Sequence, residues 1–357
     1  MTKLKNLIKN LLGKNIFGKI SPIWHGIRGI IASFWFGRSA QKMNLIGITG
    51  TKGKTSTTIL TARILNSLGC KTGFLSTALT FDGQKEIQNP THMSTIDPWK
   101  LQEFLQKCHQ NGCQNMVLEL SSQGLEQNRH WGIGSIRIAA FLNIYPEHLQ
   151  AHGSWENYRI AKSKIFRLLK KGSTAIVNWE IKMQKNSEFM LKNAAKLNQI
   201  QNREITKIDI SQEIWQIKKD DQNNQKFYKS LLLDCSFLKS LGKKLENPQD
   251  LQNQLNSKNQ PNSNFNSNNN QNILDKKSSS TLNSTLSTNL ILEIPTNFVA
   301  EYEVKNLVYA IFICDNLIFS SNLQINLLKD LLLIIPKIDI NIHGRMEWIV
   351  QNNELKM

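Results

Sequence analysis

The stretch LIGITGTKGKTSTTIL, residues 45–60, is built to meet an anion. Gly50 and Gly53 let the backbone turn sharply so that successive N–H groups face a phosphate, and the helix that follows adds the positive end of its dipole. Lys54 can reach the β/γ-phosphates of a nucleotide, and the Thr55 hydroxyl can hold Mg²⁺. The loop departs from the commonest phosphate-binding pattern, because Ile48 stands where the first glycine would be. The competing reading, a glycine turn with a chance lysine, is disfavoured because strand, loop and helix come in the order the chemistry needs.

Three further places could do chemistry. Glu119, in VLELSSQGL, sits near the C-terminal end of an expected strand, where ligands of α/β sheets gather, and a carboxylate there suits a hard cation such as Mg²⁺. Taken alone, it reads more readily as a solvated strand end. His148 and His152, in NIYPEHLQAHG, are four apart and could share a helix face, but no nearby third ligand completes a zinc site. On their own they read as surface histidines. Lys162 has Tyr158, Ile165 and Phe166 at i−4, i+3 and i+4, which places it on an apolar helix face. Burial there would depress its pKa and leave a neutral amine able to form a carbamate with CO₂. Spacing alone favours the simpler alternative, a lysine whose stem packs and whose head reaches water.

These residues need a scaffold. NLIGIT (44–49), NMVLEL (115–120), IRIAAFLNI (136–144) and STAIVN (173–178) read as strands. Between them, 54–69, 98–112 and 154–172 read as helices, the first with Ile59, Ala62, Leu65 and Leu68 on one face. The alternation implies an α/β fold with a mostly parallel sheet and helices on both faces. Residues 246–289 are dominated by Asn, Gln and Ser and read as a disordered insertion. Order is expected to resume at NLILEI, followed by the helix VKNLVYAIFICDNLIF.

The chain has 357 residues, enough for more than one domain, and a net charge of +17. No basic run alternates with aromatics, so a single-strand nucleic-acid surface is not expected. Five scattered cysteines without a Cys-x-x-Cys pair argue for a reducing compartment and against a disulfide framework or zinc ribbon. Residues 1–43 alternate basic and apolar text and form a short segment of their own, too polar to span a bilayer comfortably. They read either as an amphipathic segment resting on an anionic membrane or as a pair of helices packed on the next domain, and the second is preferred.

Taken in order, ITGTKGKTSTT, LELSSQGL, NIYPEHLQAHGSWENYRIAKSKIF, EYEVKNLVYAI and HGRMEWI resemble the Mur ligases, with the members that add the third amino acid reading closest. These ATP-dependent enzymes build the peptide of peptidoglycan on a UDP-sugar. The resemblance implies a P-loop NTPase-like central domain over 44–245, completed within 290–357. It implies that Gly50, Thr51, Lys52, Gly53, Lys54, Thr55 and Ser56 hold ATP phosphates. It further implies that Thr55, Glu119, His148 and a carbamylated Lys162 place Mg²⁺, with Lys54, Lys162 and His148 as the catalytic set. By the same resemblance, Ser94, Thr95, Ser121 and Ser122 contact a UDP-N-acetylmuramoyl-peptide, Asn306 the adenine, and Arg345 the nucleotide phosphates. A cytoplasmic monomer is implied, joining an amino acid to that peptide through an acyl phosphate.

The text departs from the family at Lys52, where Asn is usual, and at Gln123, where His is usual. The N-terminal segment is short for the uridine-binding domain, and no Asp-Asn-Pro-Arg motif follows HGRMEWIV, so the C-terminal ligase domain is expected to be missing. Two alternatives accompany the ligase reading: a shortened nucleotide-binding protein without catalysis, and a ligase of the folylpolyglutamate synthase type.

Overall fold

The computed structural model describes residues 20–195 together with 204–208, 215–219, 229–234, 289–294, 301–320, 330, 334–335, 349–351 and 354–356. The expected insertion at 246–289 lies outside these residues, save Asn289, which opens a strand.

The strand expected at NLIGIT is β1 (Asn44–Thr49), and its apolar run is buried on both faces, as a central parallel strand requires. After it come β2 (Thr72–Leu75), β3 (Leu79–Phe81), β4 (Glu86–Gln88), β5 (Asn115–Glu119), β6 (Ile136–Phe141), β7 (Leu169–Asn178) and β8 (Glu204–Ile208). They form one eight-stranded sheet in the order β4-β3-β2-β5-β1-β6-β7-β8. Pairing is parallel along β2-β5-β1-β6-β7-β8, and antiparallel between β2 and β3 and between β3 and β4 at the edge. Because β1 lies between β5 and β6, neither adjacent to it in sequence, the C-terminal end of β1 is a topological switch point where a crevice opens.

Helices cover both faces. Residues 20–35 form α1; α2 is Lys54–Ser67, α3 Pro98–Gln110, α4 Ser122–Glu126, α5 Leu149–His152, α6 Trp155–Ser163, α7 Ile181–Ala195 and α8 Glu301–Ser320. Local chemistry sets several starts. Asp97 caps α3 by accepting from Trp99 N, with Pro98 at the first helical position. Ser154 caps α6 by accepting from Asn157 N. Strand side chains alternate between two cores: Ile46, Ile48, Val117, Ile138 and Ile176 face α2 and α8, while Leu45, Met116, Leu118, Ala139 and Val177 face the opposite side with α3 and α6. A separate antiparallel sheet joins β9 (Trp215–Lys219), β10 (Lys229–Asp234) and β11 (Asn289–Ile294), and β12 (Ile349–Gln351) pairs with β13 (Glu354–Lys356).

The helix expected across 154–172 is shorter than the text suggested. It ends at Ser163, tightens into a 3₁₀ turn over Lys164–Leu168, and gives way to β7 at Leu169. Ile165, Phe166 and Leu169 all need the core, which the tighter turn allows. Gly172, at φ +75°, absorbs the register shift as β7 joins β6. For residues 1–43, the preferred helix pair is half described: α1 packs on the domain, and residues 1–19 lie outside the described set. Among the described residues no helix is long and apolar enough to cross a membrane, and Cys70, Cys108, Cys113 and Cys314 are free and buried.

Candidate functional site

The β1–α2 turn contains Gly50, Thr51, Lys52 and Gly53, and α2 opens at Lys54, Thr55 and Ser56. Gly53 has φ +81°, and a Cβ there would stand 2.3 Å from Asn306 Oδ1, so the position demands glycine twice over. Asn143, just past β6, fixes the loop. Its Oδ1 accepts from Thr51 N at 3.1 Å and Lys52 N at 2.9 Å, and its Nδ2 donates to Lys52 O at 3.0 Å. Thr51 Oγ1 accepts from Tyr145 N and lies 3.0 Å from the Tyr158 hydroxyl. Lys54 Nζ donates to Thr51 O at 2.9 Å, curling over the loop.

Glu119 closes β5 beside that loop and is only 1% exposed. Its Oε2 accepts from Thr55 Oγ1 at 2.9 Å and from Thr77 N at 2.8 Å; its Oε1 accepts from Thr77 Oγ1 at 2.9 Å. The solvated strand-end reading is therefore corrected: this carboxylate is buried and fully engaged. Thr77 Oγ1 in turn lies 2.6 Å from Ser94 Oγ, which links the loop to the segment carrying Ser94 and Thr95. Thr95 Oγ1 accepts from Ser121 N and approaches Ser121 Oγ at 3.3 Å, so Ser94, Thr95 and Ser121 share one side of the crevice with Glu119. Ser122 Oγ lies 3.0 Å from His152 Nε2, while Gln123 is exposed.

Lys162 does not snorkel. It is 2% exposed, among Tyr158, Ile165 and Phe166, each fully buried. Its Nζ donates to Gly50 O at 2.6 Å and lies 4.8 Å from the Tyr158 ring centre. Burial, aided by the nearby charge of Lys54, holds its pKa well below the ordinary lysine value. A neutral amine is the form that reacts with CO₂, so the environment fits a carbamate.

The two histidines do not share a helix face. His148 precedes α5 in the left-handed region at φ 56° and is exposed, whereas His152 ends α5 and is buried. His152 lies between Ser122 Oγ and Glu126 Oε2, the latter 3.0 Å from Nδ1, and burial lowers its pKa. Both rings flank Tyr158, at centroid distances of 6.5 Å for His148 and 5.1 Å for His152. Asn306, from α8, accepts from Thr57 Oγ1 at 3.4 Å and stands against the back of the loop at Gly53. Arg345 lies outside the described residues.

Among the described residues no three His, Cys, Asp or Glu side chains gather as a metal cluster. The donors at the loop are instead one carboxylate and one hydroxyl, Glu119 and Thr55. That hard, sparse oxygen set fits Mg²⁺, which keeps several waters of its own. Sequence reasoning missed Thr77, Asn143 and Tyr158. Asn143 and Tyr158 lie inside motif text already singled out. Thr77 follows β2, a four-residue strand too short to announce itself.

The Mur ligase middle domain matches residues 48–233. The chain is 34% identical over 165 residues to the UDP-N-acetylmuramoyl-L-alanyl-D-glutamate--2,6-diaminopimelate ligase of Parabacteroides distasonis, covering 46% of this chain and 33% of that protein. It is 34% identical over 140 residues to the UDP-N-acetylmuramyl-tripeptide synthetase of a Roseiflexus species, covering 39% of this chain and 28% of that one. The matched stretch thus spans about a third of the length of these curated relatives. A solved 2,6-diaminopimelate ligase of the same kind superposes with TM-score 0.58 at 21% identity, over 92% of this chain and 54% of that one. The apo form of L. casei FPGS superposes with TM-score 0.55 at 12% identity, over 91% of this chain and 69% of that one. At these identities the superpositions show a shared fold.

Proposed function

Given that this chain belongs to the Mur ligase family, we propose that it uses ATP to activate a carboxylate of a UDP-N-acetylmuramoyl-peptide and joins it to an amino acid, in the cytoplasm. Two relatives carry names of that reaction class. The observation that carries the reading is the 2.9 Å hydrogen bond from Thr55 Oγ1 to Glu119 Oε2, which ties a phosphate-loop hydroxyl to a strand-end carboxylate at the switch point.

In this mechanism the substrate carboxylate oxygen attacks the γ-phosphorus, ADP leaves, and an acyl phosphate forms. An amine then attacks the acyl carbon, the tetrahedral intermediate loses phosphate, and an amide remains. The 50–56 loop cradles the phosphates, and Lys54 neutralises charge on the transferring phosphoryl group. Thr55, Glu119, His148 and the Lys162 carbamate would hold Mg²⁺, which supplies Lewis-acid charge neutralisation. Ser94, Thr95, Ser121 and Ser122 orient the sugar peptide. Asn306 serves the adenine side, and Arg345 the nucleotide phosphates.

Hydroxylamine trapping tests the activation half by itself. With Mg-ATP, UDP-N-acetylmuramoyl-dipeptide and hydroxylamine, the chain is expected to yield the hydroxamate of that peptide and an equal amount of phosphate. Lys54→Ala should yield neither. ATP cleavage that ignores the sugar peptide, with no hydroxamate formed, would overturn the reading.

A further inference from the structure

Helix α1 turns its small residues inward and its large ones outward. Gly26, Gly29, Ala32 and Ser33 face the domain and are buried. A Cβ on Gly26 would stand 2.4 Å from Trp131 Cε3, and one on Gly29 would stand 2.3 Å from Trp131 O, so the glycines set how closely the helix lies. Arg28 anchors it further through Asp97, at 2.8 Å and 3.2 Å. The opposite stripe is Ile20, Ile23, Trp24, Ile27, Ile30, Ile31, Phe34 and Trp35, which recur at helical spacing and are all exposed, Trp24 by 58%, Phe34 by 65% and Trp35 by 74%. A continuous apolar stripe of this kind marks an interaction surface.

Its chemistry selects the occupant. No polar side chain interrupts the stripe, so nothing in it would fix the register of a protein partner, whose docking face normally carries hydrogen-bonding groups. Charge supplies the rest. Residues 1–43 contain eight Lys and Arg and no acidic residue, and the first carboxylate of the chain is Asp82. At the C-terminal end of the stripe, the Arg38 guanidinium sits 5.5 Å from the Phe34 ring centre, and Lys42 is exposed. Asp97 is taken up by Arg28, so the cations left at the end of the stripe are Arg38 and Lys42. Aromatic and aliphatic side chains on one face, with such cations beside them, suit a helix lying in the plane of an anionic bilayer surface.

We propose that the outward face of α1 docks this chain on an anionic lipid surface, with Trp24, Phe34 and Trp35 entering the headgroup region. The docking stands independently of the ligase reading. The test is flotation of the full chain with vesicles of mixed phosphatidylglycerol and phosphatidylcholine, against vesicles of phosphatidylcholine alone. The wild type should float with the anionic vesicles and much less with the neutral ones. The triple variant Trp24→Ser, Phe34→Ser, Trp35→Ser should lose roughly tenfold or more of that binding. Its thermal midpoint should fall only slightly, because the three side chains are mostly exposed and give up little more than the Trp35–Trp99 and Phe34–Arg38 contacts. Equal flotation of wild type and triple variant would overturn the proposal, whether residues 1–19 cover the stripe or bind lipid without it. So would a vesicle-free wild type that is dimeric by light scattering and becomes monomeric in the triple variant, since the stripe would then belong to a second copy.

Discussion

Glu119 receives three donors on two oxygens, and all three come from threonines that also serve the crevice. Glu119→Gln preserves the shape but replaces one acceptor oxygen with a donor, which then faces another donor. We expect Mg²⁺-dependent ATP affinity to fall roughly tenfold or more, with little change in the affinity measured without Mg²⁺. Calorimetry in the two conditions separates these terms, and equal losses in both would argue against a cation role. Lys162 allows a test in which stability and function part. It is fully enclosed, and its amine has Gly50 O as acceptor. Lys162→Met fills nearly the same volume without a charge to desolvate, so the fold should be as stable as wild type or more so in urea. ATP turnover with the sugar peptide should nevertheless disappear. An active Lys162→Met enzyme would show that the amine has no part in the chemistry.

At the scale of elements, the loop is held from behind as well as from the sides. Gly53→Ala would force a left-handed alanine, at about 1–2 kcal/mol, and would press its Cβ onto Asn306 of α8. The expected result is a lower urea midpoint together with weaker ATP binding, because the loop and α8 must separate. A fully stable Gly53→Ala protein would contradict the close approach. This arrangement also shows where sequence reasoning reached and where it stopped. β1, the loop and α2 were legible because strand, glycines and helix are contiguous. One apolar face of α2 was legible from Ile59, Ala62 and Leu65. The burial of Leu60 and Ile64 was not, since α8 covers them from more than two hundred residues further along the chain. Glu119 was picked out, but its burial depends on Thr77, which no local pattern marks. His148 and His152 were misplaced on one face because a spacing of four cannot reveal that the first residue adopts φ 56°. The early end of α6 was hidden for a related reason: the same apolar residues satisfy a helix or a 3₁₀ turn feeding a strand.

For the whole molecule, acid should act through buried histidines. His130 is buried, and that burial, together with the Lys164 charge, lowers its pKa to about 4. The unfolded chain takes up this proton near the ordinary value of 6.5, while the folded chain resists until about 4. Stability present above pH 6.5 is therefore lost as pH falls through that window, by about 3 kcal/mol from this group. His152, lowered by burial as well, acts in the same direction. Urea titrations between pH 7 and 4 should show the decline, and His130→Gln should flatten it; an unchanged slope would assign the effect elsewhere. The glycines of α1 have a consequence of a different kind. A helix with Gly26 and Gly29 in its middle forgoes about 1 kcal/mol at each relative to alanine, so its winding depends on the Trp131 surface against which those glycines fit. Coil-to-helix and undocked-to-docked are then a single event for this segment. Its amide protons should exchange with solvent far sooner than those of β1, β5 and β6, by an opening that leaves the sheet intact. Whatever covers the outer stripe would slow that exchange without touching a single amide.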